Sequence, residues 1–244
     1  MTTPVFGWRD ALRAWTAIRA SLAVHRGRAR TLTTAFAMVA LLAGCVTVPS
    51  TRGDGRILAC DVGSTDAACV ARIAAHGALP ADAGASWQFQ GRAALSGRGQ
   101  GGNARIEWEH APSQDVVVLS APVTRQSWRL EASPTSATLH GMAGGPRSDG
   151  DAQDLLREAT GWEIPVGLLG HWVLGRAAPT VPVSQYRFPL AGDEGLLAGF
   201  DQAGWRIDIT GRDAQGRPLR LNAEQPAQGH RVRLVIDHWG APAP

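Results

Sequence analysis

Leu42, Ala43, Gly44 and Cys45 place a thiol directly behind small residues, at the end of an apolar run from Leu32 to Leu42 that follows the basic cluster Arg26, Arg28 and Arg30. That order suits transfer of a diacylglycerol to the cysteine sulfur, cleavage before Cys45 and acylation of the new amino terminus. The apolar run falls short of the roughly 20 residues that a bilayer crossing needs. Residues 1–44 therefore read as a signal peptide of lipoprotein type and Cys45 as the lipidation site. The N-acyl diacylglycerol on that cysteine is the covalent group the sequence calls for, and no other cofactor is expected.

Cys60 and Cys69 remain once Cys45 carries lipid. In an oxidising compartment their short spacing can close a small disulfide loop; the alternative is two free, half-buried thiols. No second cysteine pair completes a zinc site, and no metal site is expected. Carboxylates are the remaining groups able to do chemistry. Asp149, Asp151 and Asp154, or Glu107 and Glu109, could act as an acid and base pair in an envelope hydrolase. The aspartates read more simply as a turn and a helix cap, and the glutamates share the polar face of a strand without a His or Ser partner. Neither Gly-x-Ser-x-Gly nor His-Glu-x-x-His occurs, so a non-enzymatic role is expected.

Charge excludes another class. Of 24 basic and 21 acidic residues, six arginines and Asp10 precede Cys45, which leaves 18 basic against 20 acidic, a net charge of −2, in the mature chain. The basic pI of the whole chain belongs largely to the discarded leader and gives no support to nucleic-acid binding. Two hundred residues follow the leader, enough for one domain with a real core.

The elements that must position any site follow from periodicity. Val46 to Gly55 is a polar tether that holds a folded domain clear of headgroups. Asp66 to Ala78 is a short helix, with Val70, Ile73 and Ala74 at helical spacing behind the caps Thr65 and Asp66. From Trp87 the period becomes two, with strands at Trp87 to Leu95, Ala104 to His110, Val116 to Ser120, Ser127 to Ala132 and Ala137 to Gly141. The glycine-rich Gly97 to Asn103 lacks the Lys-Ser/Thr of a phosphate loop and reads as a hairpin turn. Asp151 caps a helix carrying Leu155, Leu156 and Ala159 that ends at Gly161; Pro165 opens a second one carrying Val166, Leu169, Trp172 and Val173. Strands resume at Tyr186 to Leu190, Leu196 to Asp201, Trp205 to Thr210, Leu219 to Glu224 and Arg231 to Trp239.

About ten antiparallel strands around a helical pair predict a strongly curved sheet or incomplete barrel with the helices over its concave side. Tryptophan outnumbers phenylalanine and tyrosine together, and Trp108, Trp128, Trp172, Trp205 and Trp239 all fall on inward faces. Such walls suit a pocket for an amphiphile, yet an ordinary packed core would produce the same spacing, and the pattern alone favours the core.

The run Ser120-Ala121-Pro122-Val123-Thr124-Arg125-Gln126-Ser127-Trp128 resembles the LolB family of outer-membrane lipoprotein receptors. Gly91-Arg92-Ala93, Ala104-Arg105-Ile106-Glu107-Trp108, Leu155-Leu156 before Thr160-Gly161, Ile164-Pro165-Val166, Trp172-Val173-Leu174-Gly175, Gly204-Trp205 and Ile236-Asp237-His238-Trp239 follow in that family's order. The similarity covers roughly Ser86 to Trp239, and Cys60 and Cys69 lie outside it. The division that follows is a signal peptide over 1–44, an anchor, tether and short helix over 45–85, and a LolB-like domain over 86–240.

The resemblance implies a mainly β (α+β) fold: an unclosed antiparallel barrel of about ten or eleven strands, with short helices covering a hydrophobic cavity. It implies a monomer that accepts lipoproteins from the periplasmic carrier LolA, holds their acyl chains, and inserts them into phospholipid of the inner leaflet of the outer membrane. Ile106, Trp108, Trp128, Leu156, Leu169, Trp172, Trp205 and Trp239 are the residues expected around the chains. An apolar residue after proline on a protruding loop is implicated in membrane insertion in this family, which here points to Pro122 and Val123. Valine is smaller than the usual leucine, and Thr124 and Arg125 are more polar than the usual neighbours. Outer-membrane residence fits Val46, since an aspartate after the lipidated cysteine often retains lipoproteins at the inner membrane. The competing reading is a scaffold lipoprotein that binds another envelope protein through a sheet edge.

Overall fold

The computed structural model describes residues 57–79, 85–97, 100–122, 125–160, 163–191 and 195–240. Cys45, where lipidation is expected, the expected tether, Gly161 and Val123 lie outside the described residues. Twelve strands form one antiparallel sheet: β1 (Ile57–Asp61), β2 (Trp87–Gly97), β3 (Gln100–Ala111), β4 (Gln114–Ala121), β5 (Gln126–Ala132), β6 (Ala137–His140), β7 (Arg147–Asp149), β8 (Val183–Pro189), β9 (Gly199–Gln202), β10 (Trp205–Ile209), β11 (Arg220–Gln225) and β12 (His230–Gly240). Their order is β1-β8-β9-β10-β11-β12-β2-β3-β4-β5-β6-β7, so among the described residues β1 and β7 stay as edges and the barrel does not close.

The ten strands legible from alternation are all present; β1 and β7 are additional. Alternation could not show β7, whose three residues are all exposed. Nor could it show β1, which buries only Cys60 and pairs with a strand more than a hundred residues away, Ile57 opposite Pro189 and Asp61 opposite Gln185. The two halves of the meander join where β12 meets β2. A bulge between Ile236 and His238 lets Trp239 face Phe89. Gly91 is obligatory at this seam, because a Cβ there would stand 2.2 Å from the Val235 carbonyl oxygen.

Among the described residues three helices flank the sheet. In α1 (Ala67–Ala78) the Asp66 carboxylate accepts from the Cys69 N–H at 3.0 Å, which satisfies one of the orphan donors at the helix start. In α2 (Ala152–Thr160) Asp151 does the same for Asp154 at 2.8 Å. The third, α3 (Val166–Trp172), starts behind Pro165 with no side-chain cap. Helix α1 docks on the β1 and β8 edge. His76 is buried there and donates through Nδ1 to the Gly195 carbonyl at 2.9 Å. Burial, ahead of the Arg176 and Arg212 charges, holds its pKa below the ordinary imidazole value.

Cys60 and Cys69 are joined, with Cα atoms 5.4 Å apart, so the segment expected to carry only a tether and a short helix is tied into the sheet. Closing a ten-residue loop removes chain entropy from the unfolded state worth about 2.5 kcal/mol. Replacing both cysteines by serine should lower the unfolding free energy by about that amount in a urea titration. An unchanged midpoint with an unchanged slope would show that the loop is already ordered in the unfolded chain.

Candidate functional site

On the concave side, period-two alternation brings Ala93 and Leu95 of β2, Ile106 and Trp108 of β3, Val117 and Leu119 of β4, Trp128 and Leu130 of β5, Leu139 of β6, and Val232 and Leu234 of β12 to one surface. Leu156 and Thr160 of α2, Ile164, and Val166 and Leu169 of α3 cover that surface. Between the two layers lies a cavity of about 70 Å³. Its wall is hydrocarbon except for Thr160, whose hydroxyl donates to the Leu156 carbonyl at 2.6 Å and so offers nothing to an apolar occupant's exclusion.

The polar edge of Trp108 is turned away from this space. Its indole Nε1 donates to Asp115 at 2.8 Å, the same carboxylate oxygen that meets His110 Nδ1 at 2.9 Å. Trp87 stacks on His110 at 4.9 Å and leans on Trp108 at 5.4 Å. The wall therefore presents the indole face while the N–H is satisfied behind it, as buried indoles require. His171, on the far end of α3, has a pKa below the ordinary value because of its burial and then the His110 charge.

Five of the eight residues expected around a ligand line the cavity: Ile106, Trp108, Trp128, Leu156 and Leu169. Trp172, Trp205 and Trp239 do not. Trp172 is fully buried beside the cavity and donates through Nε1 to the Gln202 Oε1 at 2.9 Å, with Phe200 and Trp205 against its ring. Gln202 is spent completely: its Oε1 also accepts from the Ala178 N–H, and its Nε2 donates to the carbonyls of Ala178 and Val181. Trp172 is thus the peg that fixes the end of α3 to the sheet. Trp239 lies at the opposite end, its Nε1 donating to the Pro218 carbonyl at 2.9 Å and the Arg217 guanidinium over its ring. The reason is curvature. A long sheet has one inward side, yet only the part under α2 and α3 is hollow; the part beneath β8 to β11 is filled by Phe188, Phe200, Leu197, Ile207 and Leu221.

Strand parity could have added Val117, Leu119, Leu139 and Leu234, which alternate in register with the residues named from sequence. Ile164 and Thr160 could not be found that way, because where the helices land is a tertiary matter. Pro122 is exposed at the end of β4, and Arg125 returns the chain to β5 in a left-handed conformation, φ 56°. The carboxylates considered for a hydrolase are otherwise engaged or exposed: Asp151 caps α2, Asp154 pairs with Arg157, and Glu107 and Glu109 face solvent. Among the described residues no group of three or more His, Cys, Asp or Glu could hold a metal, and no helix is long and apolar enough to cross a membrane.

Residues 85–239 match the family model described as outer membrane lipoprotein LolB. A relative from Xanthomonas axonopodis pv. citri (strain 306), named outer-membrane lipoprotein LolB, is 37% identical over 215 residues, covering 86% of this chain and 96% of its own. One of the same name from Xanthomonas campestris pv. campestris (strain 8004) is 39% identical over 219 residues with the same coverage. Among solved structures, a LolA superfamily protein from Nitrosomonas europaea aligns with a TM-score of 0.46 and 8% identity over 71% of this chain and 93% of its own. With nearly the whole length of its relatives matched at this identity, and the family model spanning the cavity-bearing sheet and both covering helices, the chain belongs to the LolB family of outer membrane lipoproteins.

Proposed function

We propose that this chain receives lipoproteins from the carrier LolA at the outer membrane, shelters their acyl chains beneath α2 and α3, and passes them to the phospholipid of the inner leaflet. The observation that supports this reading is a cavity between a curved sheet and two short helices whose wall is apolar apart from Thr160. Each methylene kept from water is worth about 0.8 kcal/mol, so a multiply acylated protein cannot cross an aqueous compartment unshielded. Transfer between apolar containers needs only graded affinity, and no bond is made or broken. The chain itself is held to the membrane by lipid on Cys45, and Pro122 and Val123 form the part that meets the bilayer.

The volume adds a requirement. About 70 Å³ is far less than one acyl chain fills. Uptake therefore needs α2 to swing off β6 and β7. Helix α2 is suited to that, since it buries only Leu155, Leu156 and Thr160 over nine residues, with the small side chains of Ala152 and Ala159 packed beside them, whereas α3 is pegged by Trp172. The test is direct. LolA carrying a radiolabelled lipoprotein is mixed with liposomes bearing this protein, and cargo is expected to leave LolA and float with the liposomes. Cargo that stays on LolA while the protein is folded would overturn the receptor reading.

A further inference from the structure

The cavity cannot be the whole of the binding site, if the reading above holds, because a lipoprotein anchor is not pure hydrocarbon. Its chains join the protein through two ester carbonyls and one amide on the acylated cysteine, and a wall of leucine, valine and tryptophan satisfies none of them.

A narrow polar notch adjoins the cavity. It shares Leu95, Ile164 and Val232 with the cavity wall and adds Glu163, His230 and Arg231. His230, the first residue of β12, is 4% exposed. Its Nε2 is buried and has no hydrogen-bond partner; the closest opposite charge, Glu163 Oε2, is 3.9 Å away, beyond bonding distance. The imidazole is seated against Gly97 so closely that a Cβ there would stand 2.2 Å from its Nδ1. The ring is thereby held with the opposite nitrogen turned toward the Glu163 side of the notch. Arg231 does not compete for that nitrogen, since it is ion-paired with Glu224 at 2.8 Å. Glu163 and Arg231 keep side-chain exposures of 24% and 42%, so the notch, about 10 Å³, is bounded by solvent-facing groups on one side and by residues of the cavity wall on the other.

An unpaired buried nitrogen has lost its hydration with no hydrogen bond to offset the loss. At the junction of an apolar cavity and water, the ligand that would repay that cost is amphiphilic, with a carbonyl or amide located where its hydrocarbon ends. The geometry points to His230 Nε2 as the polar contact for the ester or amide group of the acylated cysteine, a contact that rests on the receptor reading and sets the depth to which the chains enter. With Nε2 protonated it donates to an ester carbonyl; in the other neutral tautomer it accepts from the amide N–H. Either bond marks the boundary between chain and linker, which a plain hydrocarbon cannot satisfy.

Two probes separate this contact from the cavity: a tripalmitoylated cysteinyl peptide and its counterpart with the ester and amide carbonyls replaced by ether and alkyl linkages. Each displaces a fluorescent fatty-acid analogue from purified full-length protein. The parent should hold the carbonyl-bearing peptide about tenfold more tightly. His230→Leu should abolish that preference while leaving the affinity for the ether peptide within twofold, and His230→Gln, whose amide nitrogen reaches the same point, should restore most of it. A parent that binds both peptides equally well overturns the notch and leaves the cavity standing. His230→Leu weakening both peptides alike overturns it too, by showing that the residue only supports the fold. A parent that binds neither peptide removes the receptor reading itself, and this contact with it.

Discussion

Trp172→Ala should destabilise the protein by about 4 kcal/mol, the range for deleting a fully buried indole without refilling its space. The side chain is wholly inaccessible, packs on Phe200 and Trp205, and supplies one of the two protons that Gln202 Oε1 accepts. Trp172→Phe separates packing from pinning. It keeps most of the ring but leaves Gln202 half satisfied in a dry site, at a cost of about 1 to 2 kcal/mol. Urea titration reads both values. The phenylalanine variant also bears on function, because it loosens the end of α3 without touching the cavity wall; access for a fluorescent fatty acid should quicken while the number of binding sites stays at one. A Trp172→Phe variant as stable as the parent would return Trp172 to the role expected from sequence, a side chain that waits for ligand.

Receiving cargo and delivering it rest on different physics, enclosure of chains in one case and contact with a bilayer in the other. Val123→Glu should therefore spare uptake from LolA and slow insertion into anionic liposomes at least tenfold. A carboxylate near lipid must be desolvated and is repelled by anionic headgroups, each effect worth about 1 kcal/mol or more. Pro122 is exposed at the end of β4, and a charge added on an exposed stretch costs little folding stability. Val123→Leu should deliver at the parent rate or faster, since it enlarges the apolar tip. Delivery by Val123→Glu at the parent rate would reduce the loop to a hairpin tip and leave insertion without a named residue.

Much of this architecture is legible in the chain because the forces that set it are local. Period-two alternation from Trp87 through Leu95 places Phe89 and Ala93 inward whatever the rest of the molecule does. Asp66 and Asp151 precede helices because a carboxylate satisfies orphan N–H groups three residues on. The close spacing of Cys60 and Cys69 made a bridge feasible, and β1 packed against α1 decided that it forms. Other features depend on residues far apart in sequence. The β1 and β8 pairing spans more than a hundred residues, and β7 has no inward side chain to announce it. Tertiary structure alone separates the tryptophans. Trp108 and Trp128 face a hollow, Trp172 pegs a helix to Gln202, and Trp239 seals the far end, although all four obey the same inward rule. Alternation determines which side of a sheet a residue takes; curvature and the landing point of two helices decide whether that side is filled or empty, because volume belongs to the assembled layers and to no single segment.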